Sequence, residues 1–465
     1  MSDIIALLDP KIELKELSVA NTEDKEINAD SVTTKVSKSA GSLSPTIGIN
    51  DMIFNEQAID SFKLSVEGFL PVVNFTIKDY SGLFTSKTYP KDGDLVMVYM
   101  RSLNKDFKPI RQDFRIYDVQ SVELVNDTNF QRKAHTITAI LEVPEIYNEL
   151  CKSYKGTSFE TLNKIAEELK LGYASNVKST VDEMTRIMTF DSHRSFIKEI
   201  TESSYKDESS FFTAFIDQYY FLNFIELNSR FVLDKEVETS TVHDIMTGDM
   251  YKNDGPNDIP TKKFPLLLTN HPNAITTPQY ITKLNPFNDT GTVWLDHGYR
   301  NNLMLYDKDK KEKQQYYLET LNTEGSQDKK LLKGREDEDH LSFQKYTYLG
   351  QQQNSNVHKN YVHAVINNRL NIDEIGKMGL MVELPNINPN IYRYQIIPVI
   401  LFKYDSDYLK QTDNKYLSDN NLGIYDKEMS GYYVISDIYY IYNKSTFSMK
   451  IKLLRREWEF ESSTN

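Results

Sequence analysis

The sequence predicts a mainly β protein with an α+β insert: two similar small antiparallel β-barrels, an α/β domain between them, and an irregular middle region. Three observations point there. A short phrase occurs twice, as Phe114-Arg-Ile-Tyr-Asp-Val119 and as Tyr433-Val-Ile-Ser-Asp-Ile438. Each copy leads into a second strand of period two, the mark of a strand with one buried face. After the later copy, Phe447, Met449, Ile451 and Leu453 alternate with Ser448, Lys450 and Lys452; after the earlier one, Ile137, Ala139 and Leu141 alternate more weakly with Thr136, Thr138 and Ile140. Finally, a dense apolar run and a loop precede each copy, Leu95 to Met100 in one case and Tyr394 to Phe402 in the other, so an order of elements repeats as well as a phrase.

Length and composition set the outer bounds. A chain of 465 residues is too long for one ordinary core and predicts roughly three domains, with about two to four all compatible. Hydrophobic content is 39%, while aromatic content is 12%, carried by 30 Tyr and 23 Phe. Tyrosine joins an apolar ring to a polar tip, which suits sheets whose outer faces are partly covered by other subunits. Abundant Asn, Lys, Ile and Tyr also follow from AT-rich coding, and both readings stay open here. The net charge of -13, from 54 basic and 67 acidic residues, excludes a dedicated nucleic-acid binder, which needs a basic surface to displace counterions. DNA passing nearby is compatible with that charge, since an acidic surface repels phosphate and does not retain it.

The single cysteine, Cys151, excludes an intramolecular disulfide and a cysteine-rich zinc site, and is expected as an ordinary buried thiol. Folding in a reducing cytoplasm is the matching expectation. Met1 to Asp9 holds no basic n-region and only the short apolar run Ile4 to Leu8, so no secretory signal is expected. No run approaches the roughly 18 apolar residues of a membrane span.

Along the chain, residues 1–44 read as an N-terminal arm or linker, rich in serine before Pro45. Residues 45–150 read as the first barrel: Phe62, Leu64 and Val66 alternate with Lys63 and Ser65, Val73, Phe75 and Ile77 with Asn74, Thr76 and Lys78, and Gly68 and Pro71 punctuate the pair as a hairpin. Asp92-Gly93-Asp94 is a turn into the apolar strand. Residues 151–240 form the α/β insert. Thr157 and Glu160 have capping-box spacing ahead of Phe159, Leu162, Ile165, Ala166 and Leu169, a second helix runs from Ser192, and a third is expected over Ser209 to Tyr219. Strands at Tyr220 to Ile225 and Arg230 to Leu233 follow. Residues 241–375 are an irregular middle domain with long loops, the charge runs Lys308 to Lys313 and Glu336 to His340, and helical character over Val357 to Leu370. Residues 376–465 read as the second barrel, with a long polar loop over Asp405 to Ser430.

Signatures of catalysis and of cofactor binding are absent: there is no Gly-rich dinucleotide or phosphate loop, no nucleophile elbow and no zinc-protease helix. His358 and His363 stand five apart, about 140 degrees on a helix, which is poor for joint metal ligation. Asp307, Asp309 and Lys311 begin like a calcium loop, but Glu312 stands where glycine is needed and Leu318 where the bidentate Glu belongs. Asp296-His297 has no nucleophile near it in sequence, and a Cys151 nucleophile would need a distant histidine. Paired carboxylates for glycan hydrolysis are not singled out. No catalytic, cofactor-binding or metal residues are therefore assigned.

With Gly431-Tyr-Tyr-Val-Ile-Ser-Asp-Ile438 and Arg455-Arg-Glu-Trp458 closing the second barrel, the layout resembles the baseplate hub proteins of contractile-tailed bacteriophages. The Asp92-Gly-Asp94 turn, the Thr157 to Gly172 helix and Asn360-Tyr361-x-x-Ala364 support the likeness, which covers most of residues 45–460 in order of elements. The resemblance implies a structural homotrimer in which three chains of two barrels give six similar units, matching a threefold central spike to a sixfold tail tube around a DNA conduit. It implies tube and spike or needle proteins as partners, with tape measure and baseplate wedge proteins as further ones, DNA passing without specific binding, no enzymatic activity, and a place in the virion baseplate after assembly in the host cytoplasm. The chain stops just after the second barrel, so a spike is expected on another polypeptide. The competing classes are a cell-wall hydrolase of the injection machinery, another tail component such as a wedge or receptor-binding protein, and the spike base of a bacterial secretion system.

Overall fold

Period-two patterning becomes strand wherever the sequence shows it clearly. The computed structural model describes residues 3–14, 45–100 apart from 51, 55, 80, 81, 83 and 92, 108–124, 132–231, 266–268, 280–288, 301–307, 312–318, 345–349, 357–403 apart from 377 and 386, and 424–455 apart from 427, 428, 444 and 445. Within them the chain is mainly β, with several antiparallel sheets and a small helical component.

Strand β1 (Ile5–Leu8) is followed, after a long interval, by β2 (Thr46–Ile49) and β3 (Met52–Phe54). Strands β4 (Ile59–Val66) and β5 (Val72–Asp79) form the expected hairpin, in which Gly68 takes a φ of 63°, open to glycine without steric cost. Strand β6 (Leu95–Met100), the long β7 (Ile110–Leu124) and β8 (Arg132–Leu141) complete this region.

The insert begins with β9 (Glu149–Gly156). Helix α1 (Ser158–Glu168) follows, and Thr157 and Glu160 make both halves of the capping box. Next come β10 (Gly172–Ser175), β11 (Met184–Ser192) and α2 (His193–Glu202), whose N-cap is Ser192. The helix expected over Ser209 to Tyr219 is instead strand β12 (Phe212–Ile216), paired with β13 (Phe221–Glu226). Phe211, Phe212, Phe215 and Ile216 are all buried, and pairing with β13 satisfies their backbone while two faces are covered. Arg230 ends a 3-10 turn, Asn228–Arg230, and buried Phe231 caps it, where a strand was expected; residues 232 and 233 lie outside the described residues.

Beyond the insert come β14 (Leu266–Leu268), β15 (Lys283–Asn288), β16 (Asn301–Asp307), β17 (Glu312–Leu318), β18 (Lys345–Leu349) and helix α3 (Tyr361–Ile375). The last region holds β19 (Met378–Leu384), β20 (Ile396–Lys403), β21 (Ile424–Tyr425), β22 (Gly431–Asn443) and β23 (Thr446–Leu454).

The two strand-rich regions share one 14-stranded sheet, ordered β15-β19-β23-β22-β4-β5-β8-β7-β6-β2-β3 with β20, β14 and β21 branching from β22. It curls, so that Ile47, Val96 and Val98 join Phe62, Val73 and Phe75 in a single core that continues into Leu380, Val382 and Ile451. The insert carries a four-stranded sheet, β1-β10-β13-β12. The start of the stretch expected as an arm is thus held in place: Ile5 and Ala6 pair with Ser175 and Ala174. Helix α3 docks the middle region on the insert through buried Asn368. Its amide donates to the carbonyls of Thr201, Glu202 and Ser204 at 3.3, 2.8 and 3.1 Å, and its oxygen accepts from Phe212 N–H at 2.7 Å.

Candidate assembly surface

Five strands of each half correspond in order: β4-β5-β8-β7-β6 matches β15-β19-β23-β22-β20, and every neighbouring pair is antiparallel. Register is kept too. The β7–β8 ladder bulges between Ile116 and Asp118, and the β22–β23 ladder between Ile435 and Asp437, so the skipped residue is the fourth of the repeated phrase in both halves. Val119 opposes Ile137 as Ile438 opposes Ile451, and Phe114 opposes Val96 as Tyr433 opposes Ile397. Further out, Ala139 opposes Val73 and Val73 opposes Leu64, matched by Leu453, Leu380 and Pro286. A bulge adds twist and bends its strand, which lets a long strand pair with different neighbours along its length.

The entry to each phrase partner strand is also shared. Gly93 N–H donates to Ile116 O at 3.3 Å and Tyr394 N–H to Ile435 O at 2.6 Å; in return Ile116 N–H reaches Asp94 O at 2.9 Å and Ile435 N–H reaches Gln395 O at 3.0 Å.

The halves meet where β22 pairs with β4, with Ile438, Tyr440 and Tyr442 opposite Val66, Leu64 and Phe62. All six side chains are buried. On the other face Tyr439 donates to Glu67 at 2.7 Å, and the Lys63 ammonium sits 4.6 Å from the Tyr439 ring centroid. Burial, with Glu67 beside it, pushes the Tyr439 hydroxyl pKa up. Arg393 locks the seam: it donates to Ser436 O in the bulge at 2.5 Å and to Gly68 O in the β4–β5 turn at 2.7 Å, with its guanidinium 4.2 Å over the Phe215 ring of the insert.

The equivalent stretch of β7 differs in one respect. From Asp118 to Leu124 it has β8 on one side, and among the described residues no strand on the other. Tyr117 is 61% exposed and Val122 59% exposed there. Strand β15, the counterpart of β4, likewise pairs only with β19 among the described residues, and Lys283, Asn285 and Pro286 are exposed.

Residues singled out for chemistry are dispersed. His358 and His363 flank Tyr205, at ring distances of 6.3 and 5.9 Å; His358 Nε2 donates to Ser203 O at 3.0 Å, and burial lowers the pKa of both imidazoles. Asp307, Glu312 and Leu318 belong to the β16–β17 hairpin, paired strand in place of a calcium loop; Asp309, Lys311, Asp296 and His297 lie outside the described residues, as does Glu336 to His340. Cys151 is an exposed free thiol on β9 and not a buried one, because it lies in the exposed first five residues of that strand, which pairs with β11 in a two-stranded sheet. Among the described residues no three His, Cys, Asp or Glu side chains gather as a metal site.

One polar network was not signalled in the sequence. Thr85 Oγ1 donates to Asp79 Oδ2 at 2.8 Å and so accepts from His135 Nε2 at 3.2 Å, which leaves His135 Nδ1 to accept from Ser121 Oγ at 2.8 Å. Burial lowers the His135 pKa, with Asp79 opposing the shift. Each imidazole nitrogen is occupied and the Phe84 and Tyr89 rings stand edge-on to it at 5.0 and 5.6 Å, so the network pins β7 and β8 to the segment after β5. Its four residues come from separate places in the chain, and only Ser121 and His135 are cross-strand partners.

No protein-family model matches the chain, and no curated protein matches it in sequence. Several solved structures are similar in arrangement. A tail protein from Neisseria meningitidis MC58 is 9% identical, covering 89% of this chain and 97% of that one at a TM-score of 0.46. The 43 kDa tail protein of prophage MuSo2 from Shewanella oneidensis is 6% identical, covering 90% and 100% at 0.47. The E. coli c3393 protein, a type VI secretion system component, is 7% identical, covering 90% and 79% at 0.39. At TM-scores this low the likeness is one of broad arrangement.

Proposed function

We propose that this protein is a non-enzymatic structural component of a contractile phage-type tail: a baseplate hub, three copies of which form a ring joining a sixfold tail tube to a threefold central spike. The observation that carries this reading is the five-stranded unit present twice in one chain in the same register. A ring of three such chains presents six equivalent units to one neighbour and three to the other, which is what a junction between sixfold and threefold symmetry requires. The resemblance carried by Gly431 to Ile438 and Arg455 to Trp458 names the setting. Tube and spike proteins are then the direct partners, tape measure and wedge proteins further ones, and DNA passes through without being held.

Electron microscopy of the purified protein, alone and with its spike, tests this. The expected particle is a threefold ring with six lobes and a mass of three chains. Monomers under both conditions overturn it. Six or more copies at the tail periphery would make the protein a wedge, and clearing on a cell-wall zymogram that one carboxylate substitution abolishes would make it a hydrolase.

A further inference from the structure

We propose that the open edge of β7, Val119 to Leu124, pairs antiparallel with the outer edge of β15, Asn288 to Lys283, in a second copy of this chain, repeating between chains the seam that β22 and β4 make within one. The pairing rests on the ring reading above and specifies which strands close the ring.

The internal seam supplies the geometry. It runs from Ile438 opposite Val66 to Asn443 opposite Ser61. Carrying each residue to its counterpart in the other half places Val119 opposite Asn288, Gln120 opposite Phe287, Ser121 opposite Pro286, Val122 opposite Asn285, Glu123 opposite Leu284 and Leu124 opposite Lys283. The span so defined is the whole of β15 and stops at the last residue of β7.

Among the described residues neither span has a second strand beside it. A sheet edge presents unpaired N–H and C=O groups and pairs with any compatible chain unless it is blunted. Val122, 59% exposed at mid-edge, is an apolar β-branched residue facing solvent, while its counterpart Ile441 lies in the completed seam. Proline inside a strand is confined to edges and bulges, and Pro286 marks β15 as one, removing a single donor from the ladder. Within one chain the β22–β4 seam and the strands beside it lie between β7 and β15 in the sheet order, and among the described residues the two do not pair. The contact is therefore heterologous, one patch on a different patch, and such contacts propagate until a ring closes.

Engineered disulfides read the register directly. In a Cys151→Ser background, Val122→Cys with Asn285→Cys places two thiols directly opposite, within the Cβ separation of about 4.5–5.5 Å that cross-strand partners have. Mild oxidation of concentrated protein is expected to give chains linked to one another, ending in a covalent trimer on non-reducing gels. Val122→Cys with Lys283→Cys, two positions out of register, is expected to give little link, since diagonal partners stand about 7–8 Å apart. Val122→Asp without any cysteine change is expected to abolish assembly measured by sedimentation while leaving the monomer melting curve in place. A trimer by sedimentation that forms no 122–285 link, or that survives Val122→Asp, overturns the edge pairing and leaves the ring reading standing. Protein that remains monomeric by sedimentation, alone and with the spike, and forms no link overturns both.

Discussion

Gly93 and Tyr394 occupy the same left-handed backbone position in the two halves of the sheet, with φ of 82° and 60°. Each N–H is bonded to the isoleucine carbonyl just before a β-bulge. Glycine adopts this conformation without strain, whereas a tyrosine is held in it by its surroundings. The Tyr394 ring is 8% exposed and lies 5.4 Å from that of Phe215, so burial of the ring offsets the backbone cost.

Gly93→Ala should therefore destabilise the protein by about 1–2 kcal/mol, the cost of a Cβ in left-handed backbone. A Cβ there meets Arg115 Nη1 at 3.4 Å, ordinary contact, so crowding adds little. Gly93→Asn should cost less, since Asn tolerates that region. Urea denaturation of the variants checks both.

Arg393→Met should lower stability by about 2–4 kcal/mol, the range for removing a buried charged donor and leaving its acceptors unmet. Ser436 O and Gly68 O lose this donor, and the nearby Asp437 carboxylate loses its cation at 3.9 Å while keeping the Ser436 hydroxyl at 3.0 Å. Amide exchange over Tyr439 to Tyr442 should speed up more than exchange in β10, which locates the damage at the seam.

Asn368→Ala should cost about 1–3 kcal/mol by taking the amide donor from the Glu202 and Ser204 carbonyls and the acceptor from Phe212 N–H, while the Thr201 carbonyl keeps the Ser204 N–H. Limited proteolysis should then cut first around α3, where the middle region meets the insert.

Acid should weaken the fold through His135, His358 and His363, each with its pKa held below the ordinary value by burial. A histidine depressed in the folded state binds protons more readily when unfolded. Its stabilising share is present above the unfolded pKa of about 6.5 and is lost as pH falls through the folded pKa. Melting temperature should decline from about pH 7 to about pH 5, and His363→Gln should flatten part of the decline.

Native protein should react with one equivalent of a thiol reagent without denaturant, because Cys151 is exposed on β9. Spectrophotometric titration reads this directly, and a Cys151→Ser variant should not react.

Local signals were legible where the physics is local. Thr157 with Glu160 and Ser192 announced two helix starts, and both caps form. The stretch Ser209 to Tyr219 was ambiguous because Phe211, Phe212, Phe215 and Ile216 fit a helical stripe as well as a buried strand, and only the distant β13 decides. The repeated phrase was readable because it surrounds the bulge, a backbone feature with a side-chain signature. Strand β15 was not, since Lys283-Leu-Asn-Pro-Phe-Asn288 has lost the alternation its counterpart β4 keeps. Nor could pattern reveal the seam, which joins Tyr440 to Leu64 across most of the chain. The same distance hid the His135 network, whose members carry no motif.

The β22–β4 ladder has a consequence for cooperativity. Two halves joined end to end by a flexible linker would melt as separate units, whereas halves that share a hydrogen-bonded strand pair and a common core lose stability together. A fragment carrying either half alone would expose a long apolar strand edge that the intact chain conceals. Such fragments should be far more prone to aggregate than their composition suggests, and a single melting transition should be the mark of the undivided protein.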